Sequence, residues 1–281
     1  MDRRLVGRIV FQSMISVPER FRPKHPSRYP EDNVNEFERW FFENWKPEDK
    51  RGREYLPILW TGYFCKHKYG RDHGARQHLQ RFVNSLDGGE RYYSILQYDS
   101  GPLIRLPNNI HLLAMSGPVR HYPLPLICEP HNYEFNSERT IFANFLGALT
   151  HPVRKSMVSH LSGKREYLIS SQKRPLKEFC HLLSQSVFTL CPRGFGETSF
   201  RIQEALQYGS VPVYISDCHI IPHNKEFDYG VLIHSKDVDK IDDKLREIPE
   251  DRIRLMRENG KKAYREMFTY EGCKKLILEN V

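Results

Sequence analysis

Residues Ser186 to Asp217 read SVFTLCPRGFGETSFRIQEALQYGSVPVYISD, and this stretch decides the fold. Val187 to Leu190 is a short apolar run bounded by polar residues and Pro192, the pattern of a buried strand. Gly194 and Gly196 follow, where backbone can approach another group closely. Thr198 or Ser199 is placed to cap a helix. Ile202, Ala205 and Leu206 give that helix one apolar stripe. Arg201, Glu204 and Tyr208 share a neighbouring polar face. Gly209 stops the helix, and Val211 to Ile215 is the next strand, with Pro212 near its start. The unit is strand–turn–helix–strand. Free backbone N–H groups and the helix dipole make its loop an anion site.

The same alternation extends to both sides. Arg139 to Phe145 and Tyr167 to Ser170 read as strands, and Pro152 to Leu161 and Pro175 to Ser184 as helices. Val231 to Ile233 is a further strand. Asp237 to Arg246, Asp251 to Phe268 and Tyr270 to Leu278 are helical. This order predicts an α/β fold with a parallel sheet and helices on both faces. The first 130 residues are less regular. Residues 12–32 form an irregular arm rich in Pro, Arg and Tyr. Asn33 or Asn35 caps a helix to about Asn44 that carries Val34, Phe37, Trp40 and Phe41. Gly74 to Leu86 is an amphipathic helix, and Tyr55 to Trp60, Tyr92 to Tyr98, Ile110 to Met115 and Leu124 to Cys128 are strands. The polar stretch Glu129 to Glu138 divides the chain into 1–135 and 136–281.

Composition narrows the function. The chain has 281 residues, 39% hydrophobic and 28% charged, with a net charge of +8. Basic balance favours anionic partners, but Lys and Arg are scattered, without the clustered stripe that nucleic acid requires. The six cysteines show no metal-ligand spacing and no disulfide framework, which points to a reduced, cytoplasmic protein. Arg8 interrupts the N-terminal apolar stretch, so no signal-peptide core is present. No run reaches the ~18 apolar residues of a membrane span. The chain lacks a Gly-Lys-Ser/Thr phosphate loop, a Gly-x-Gly-x-x-Gly fingerprint and a Gly-x-Ser-x-Gly elbow.

Ligands of such sheets bind beyond the carboxyl ends of the strands. The candidates there are Gly147, Arg154, Arg193, Gly194, Ser199, Arg201, Glu204 and Asp217. Arg154 and Arg193 suit phosphate, and Glu204 suits a pair of ribose hydroxyls. Taken alone, Arg201 and Glu204 read more readily as a simple surface ion pair than as a binding site.

As an ordered set these residues resemble the exostosin-like glycosyltransferases. The match comprises Cys191-Pro192, Gly194, Ser199-x-Arg201, Glu204, Gly209, Val211-Pro212-Val213 and Asp217. Upstream, RTIFANFLGALTHPVRKSM resembles the family's strand–Gly–Arg segment through Gly147 and Arg154. Downstream, Tyr229 stands where the family often has Trp. The resemblance implies a GT-B architecture, two Rossmann-like domains facing a cleft, with the last helix crossing back to the first domain. It implies a UDP-sugar donor, a glycan or glycoprotein acceptor, inversion at the anomeric carbon and no essential metal. It is nearest to stand-alone soluble members, such as those of large DNA viruses of algae, where xylose is one sugar transferred. The base belongs to the first domain. Asp99 in QYDSGP resembles the family's His-Asp-x-Gly segment, with Tyr98 in place of His. It reads equally as a turn residue. Asp72 and then Glu129 are the alternatives. A GT-B scaffold that binds nucleotide or glycan without catalysis is the competing reading.

Overall fold

The computed structural model describes residues 16–23, 37–49, 52–118, 121–223 and 225–281. The expected cap at Asn33 or Asn35, Val34, most of the 12–32 arm, and Arg3, Arg4 and Arg8 lie outside them. The described residues form two all-parallel sheets. The first has the order β1-β2-β3-β4 and the second β6-β5-β7-β8-β9.

In the first half, α1 (Phe37–Asn44) precedes β1 (Glu54–Tyr55), α2 (Trp60–Lys66), α3 (His73–Asn84), β2 (Tyr92–Leu96), β3 (Ile110–Ala114) and β4 (Tyr122–Pro123). Two expected strands are shorter than their apolar runs. Leu56 N–H still donates to Tyr93 O, but the next donor in register, Ile58 N–H, turns back to Leu56 O at 2.8 Å around Pro57. Likewise Leu124 N–H donates to Ala114 O, and Pro123 and Pro125 end β4. The expected strand over 124–128 is therefore extended backbone without a sheet partner. Helix α2 is absent from the sequence reading. Its Gly, Thr and aromatic residues have poor helix propensity, and burial of Trp60 through Cys65 overrides it.

The second half comprises β5 (Ile141–Leu146), α4 (Pro152–Leu161), β6 (Tyr167–Ser170), α5 (Leu176–Ser184), β7 (Ser186–Pro192), α6 (Arg201–Gln207), β8 (Val211–Ile215), β9 (Val231–Ile233), α7 (Ile241–Arg246), α8 (Glu250–Ala263) and α9 (Tyr270–Leu278). A π-helical turn, Tyr264–Phe268, separates α8 from α9. Central strand β5 lies between β6 and β7, so the chain winds out in both directions from it.

Helix α9 packs on α1. Tyr270 lies with its ring centroid 5.5 Å from Phe37 and 5.1 Å from Trp40. Lys274 Nζ donates to Asn44 O and pairs with Asp49, both at 2.7 Å. One apolar core therefore spans both halves, from Phe41 and Tyr93 to Leu206, Tyr229 and Leu276. Tyr229 is a core residue of this junction, 4.4 Å from Phe227 by ring centroid.

The loops after β2 and β3 carry the first half's share of the cleft. They meet at two glycines. Gly101 has φ +75 and Gly117 φ +96, and a Cβ on Gly117 would fall 2.7 Å from Gly101 Cα. That atom is backbone and has no rotamer to yield. Gly117→Ala is expected to destabilise the fold by about 2–4 kcal/mol, from clash and left-handed strain together, read as a lowered denaturation midpoint. An exposed control, Gly88→Ala, has nothing within 4 Å of its new methyl and should leave the midpoint within about 0.5 kcal/mol.

Candidate functional site

The winding direction reverses between β5 and β7, which opens a crevice beyond their carboxyl ends. A cavity of about 340 Å³ occupies it. Its lining comes from residues 146–148 after β5, residues 171–174 after β6, Leu176 and Phe179 on α5, and Arg201 and Glu204 on α6. That volume lies in the range of small-molecule sites. Of the candidate residues, Gly147, Arg201 and Glu204 line the cavity.

The cavity floor is an ionic group. Glu204 is 1% exposed, so the alternative of a surface ion pair does not hold. Its Oε2 accepts from Arg201 Nη1, and His131 Nε2 lies 3.2 Å from Oε1. Burial alone would raise the Glu204 carboxyl; the charge of Arg201, then His131, outweighs it and brings it down to about 2. Arg201 is itself held by Leu146 O, 3.0 Å from Nε, and its guanidinium lies 4.5 Å from the Phe179 ring centroid.

His131 was missed by sequence reasoning because it sits in the polar stretch between the halves. That stretch runs along α6, held by two glutamines one turn apart. Gln203 accepts from Cys128 N–H at 2.6 Å and donates to Cys128 O at 2.8 Å. Gln207 does the same to His131, at 3.2 and 2.6 Å. The only sequence signal was Gln-x-x-x-Gln on the helix face beside Glu204.

The loop after β7 forms the cavity's neighbour. Arg154, on α4, spends three donors on carbonyls: Nε to Arg193, Nη1 to Ala148 and Nη2 to Pro192, at 2.9, 2.9 and 3.1 Å. It fastens the loops after β5 and β7 together. Burial, then Arg201, lowers its pKa to about 10. Arg193 Nε donates to Gly196 O at 3.1 Å, and its Nη1 lies 3.9 Å from Asp217 at the outer edge. Gly194 N–H donates to Thr198 O. The expected cap at Thr198 or Ser199 is a correction. Helix α6 begins at Arg201 after Phe200 and has no side-chain cap. Ser199 is buried, and its Oγ is only a distant acceptor, 3.4 Å from Arg201 N. With two turns of helix, the positive character here comes chiefly from arginines.

Asp99 comes from the other half. It follows β2 and reaches the β7 loop: a Cβ on Gly196 would lie 2.7 Å from Asp99 Oδ1. Loss of water by burial pushes its carboxyl up to about 6, against the Gly196 N–H, Arg154 and Arg193. The adjacent Glu197 accepts from Gly117 N–H at 3.2 Å and Ser116 Oγ at 3.4 Å. The loops after β2, β3 and β7 thus converge. The two alternatives have other settings. Asp72 caps α3, accepting from Ala75 N–H at 3.0 Å, and that bond holds its carboxyl below the usual range. Glu129 is exposed. Among the described residues, no group of three or more His, Cys, Asp or Glu could hold a metal ion.

Two parallel α/β units with a site at this switch point define the GT-B class. The exostosin GT47 domain matches residues 69–248, more than half of the chain, and the chain belongs to that family. A probable glycosyltransferase of Arabidopsis thaliana is 26% identical over 147 residues, covering 51% of this chain and 31% of that protein. An exostosin-1 homolog of Caenorhabditis elegans is 34% identical over 90 residues, covering 31% and 24%. A probable glucuronosyltransferase of Oryza sativa subsp. japonica is 27% identical over 161 residues, covering 52% and 38%. The chain spans well under half the length of these relatives. Among solved structures, TarM aligns with a TM-score of 0.43 at 12% identity, covering 74% of this chain and 46% of that one. No helix of the described residues is long and apolar enough to cross a membrane, and the six cysteines are free thiols.

The lowered Glu204 carboxyl has a sign for stability. Its folded value lies below the ordinary 4.5, so the ionised pair stabilises the fold above pH 4.5 and is lost as pH falls toward 2. Urea midpoints measured from pH 5 to pH 2 should fall less steeply in Glu204→Gln than in the parent. The variant should also be less stable at pH 7, by about 3 kcal/mol or somewhat less given the partial exposure of Arg201.

Proposed function

We propose that this protein is an inverting glycosyltransferase, moving a sugar from a UDP-sugar to a hydroxyl of a glycan or glycoprotein acceptor. The observation that carries this reading is Asp99, a carboxylate of the first half, set against the β7 loop opposite Arg154 and Arg193. In this reading the nucleoside occupies the cavity, with the ribose hydroxyls toward Glu204. Arg201, Arg193 and the unspent donors of Arg154 face the diphosphate.

The acceptor oxygen attacks the anomeric carbon from the face opposite the diphosphate. Its proton passes to Asp99 as the new C–O bond forms and the bond to phosphate breaks. The departing UDP takes the electron pair, and the arginines compensate its charge. These cations serve the role a divalent ion would otherwise fill, so transfer is proposed to be independent of metal.

A titration with UDP and a UDP-release assay over a donor panel test the reading. The panel includes UDP-xylose, the sugar expected from the family resemblance, and UDP-glucuronate, suggested by the names of the rice relatives. Binding of UDP with no turnover of any donor favours the non-catalytic scaffold. Turnover should survive EDTA. Glu204→Ala should weaken UDP binding by about tenfold or more. Asp99→Asn should leave UDP binding intact and remove transfer; full transfer in that variant would refute the base assignment. Since the Asp99 carboxyl sits near 6, kcat/KM in the parent should fall as pH drops below about 6. The raised folded pKa also means this site loses stability as pH rises from 3.8 through 6. Asp99→Asn should therefore be at least as stable as the parent at pH 8.

A further inference from the structure

Four large apolar side chains are exposed among the described residues: Tyr69, Phe195, Leu232 and Leu255. The two aromatic ones lie on segments that meet the loop beginning at Asp99, one from each half of the molecule. Phe195 is 72% exposed and stands between Gly194 and Gly196, and Gly196 is the residue that touches Asp99. Tyr69 is 59% exposed. Its neighbour Gly70 lies against the side chain of Leu103, in the loop that Asp99 begins. Tyr69 is also near enough to affect the hydroxyl of Tyr98, the residue before Asp99.

The backbone adds a second, independent observation. Tyr69 has φ +54, Lys68 φ +54 and Leu103 φ +50. These are three of the four non-glycine residues with positive φ among the described residues, and they sit on the Tyr69 turn and on the loop that Asp99 begins. Left-handed backbone disfavours a bulky side chain by about 1–2 kcal/mol per residue. Strain of this kind gathers where a loop is held for a purpose other than stability. An aromatic side chain left mostly in water contributes little burial to the fold.

We propose that Phe195 and Tyr69 form the acceptor subsite, receiving the C–H face of a pyranose whose hydroxyl reaches Asp99. This rests on the transferase reading above and adds the residues that choose the acceptor. A pyranose carries its equatorial hydroxyls around the rim and leaves apolar C–H groups on its face. An aromatic ring buries that face against its negative π-surface while the hydroxyls stay hydrated. Placing one ring on each half makes acceptor binding depend on the closed arrangement of the three loops.

The test uses the full chain saturated with UDP on a printed array of neutral and acidic oligosaccharides, with calorimetry on each oligosaccharide bound. The parent should bind at least one pyranose oligosaccharide. Phe195→Ala and Tyr69→Gly should each weaken it by about tenfold; glycine keeps the left-handed backbone at position 69 while removing the ring. Phe195→Trp should restore binding. UDP affinity should stay within about twofold of the parent in all variants. Oligosaccharide binding unchanged by loss of either ring overturns the proposal, as does a UDP-saturated parent that binds nothing on the array. The two readings fail separately. A parent without UDP affinity whose glycan binding still needs both rings refutes the transferase and keeps the subsite.

Discussion

The buried carboxylate of Glu204 is the group on which the site's geometry depends. It joins α6, the strand end at Leu146 through Arg201, and the connecting segment through His131. A charge at that depth is tolerated only when its partners are in place. The path of the connecting segment is therefore fixed by electrostatics as well as by the amide clamps of Gln203 and Gln207. The segment leads directly from β4 to β5, so these bonds tie the link between the two sheets to α6. Arg154 works on the same principle at the cleft, its charge being spread over three carbonyls of two loops.

The second half was legible because its elements are governed by local rules. Its strands are short apolar runs, its helices carry single stripes, and Pro152 and Gly209 mark a start and a stop. Helix α4 falls where the sequence placed it. The first half was less legible because its connections are not the usual ones. Strands β2 and β3 are joined by residues 97–109 without a helix among the described residues, and β1 and β4 are only a pair of residues each. Helix α2 forms against its own propensity, under burial that no local window can register.

The candidate site divides in the same way. Gly147, Arg201 and Glu204 fall together because they belong to one strand–turn–helix unit and its neighbour. Asp99 reached the β7 loop from the other half, a meeting that spacing could suggest only through family resemblance. His131 was beyond sequence reasoning. A histidine in a polar stretch has no periodicity, and its role depends on where the stretch is led. Glu38 is similar: it is buried at the start of α1, where burial, against bonds from Gln97 and Thr61, pushes its carboxyl to about 7. Nothing in the local pattern around Phe37 marks it as an interior acid.

The packing of α9 on α1 bears on how the chain is made. Ribosomes add about 5–20 residues per second and release the amino end first. Helix α1 emerges before α9, and among the described residues its Phe37 and Trp40 pack against Tyr270. During synthesis those contacts wait on the order of 10–50 seconds, the time needed for the intervening chain at that speed. Contacts so distant in sequence also form slowly. A ribosome stalled before Tyr270 leaves the ring contacts of Phe37 and Trp40 with that residue unmade.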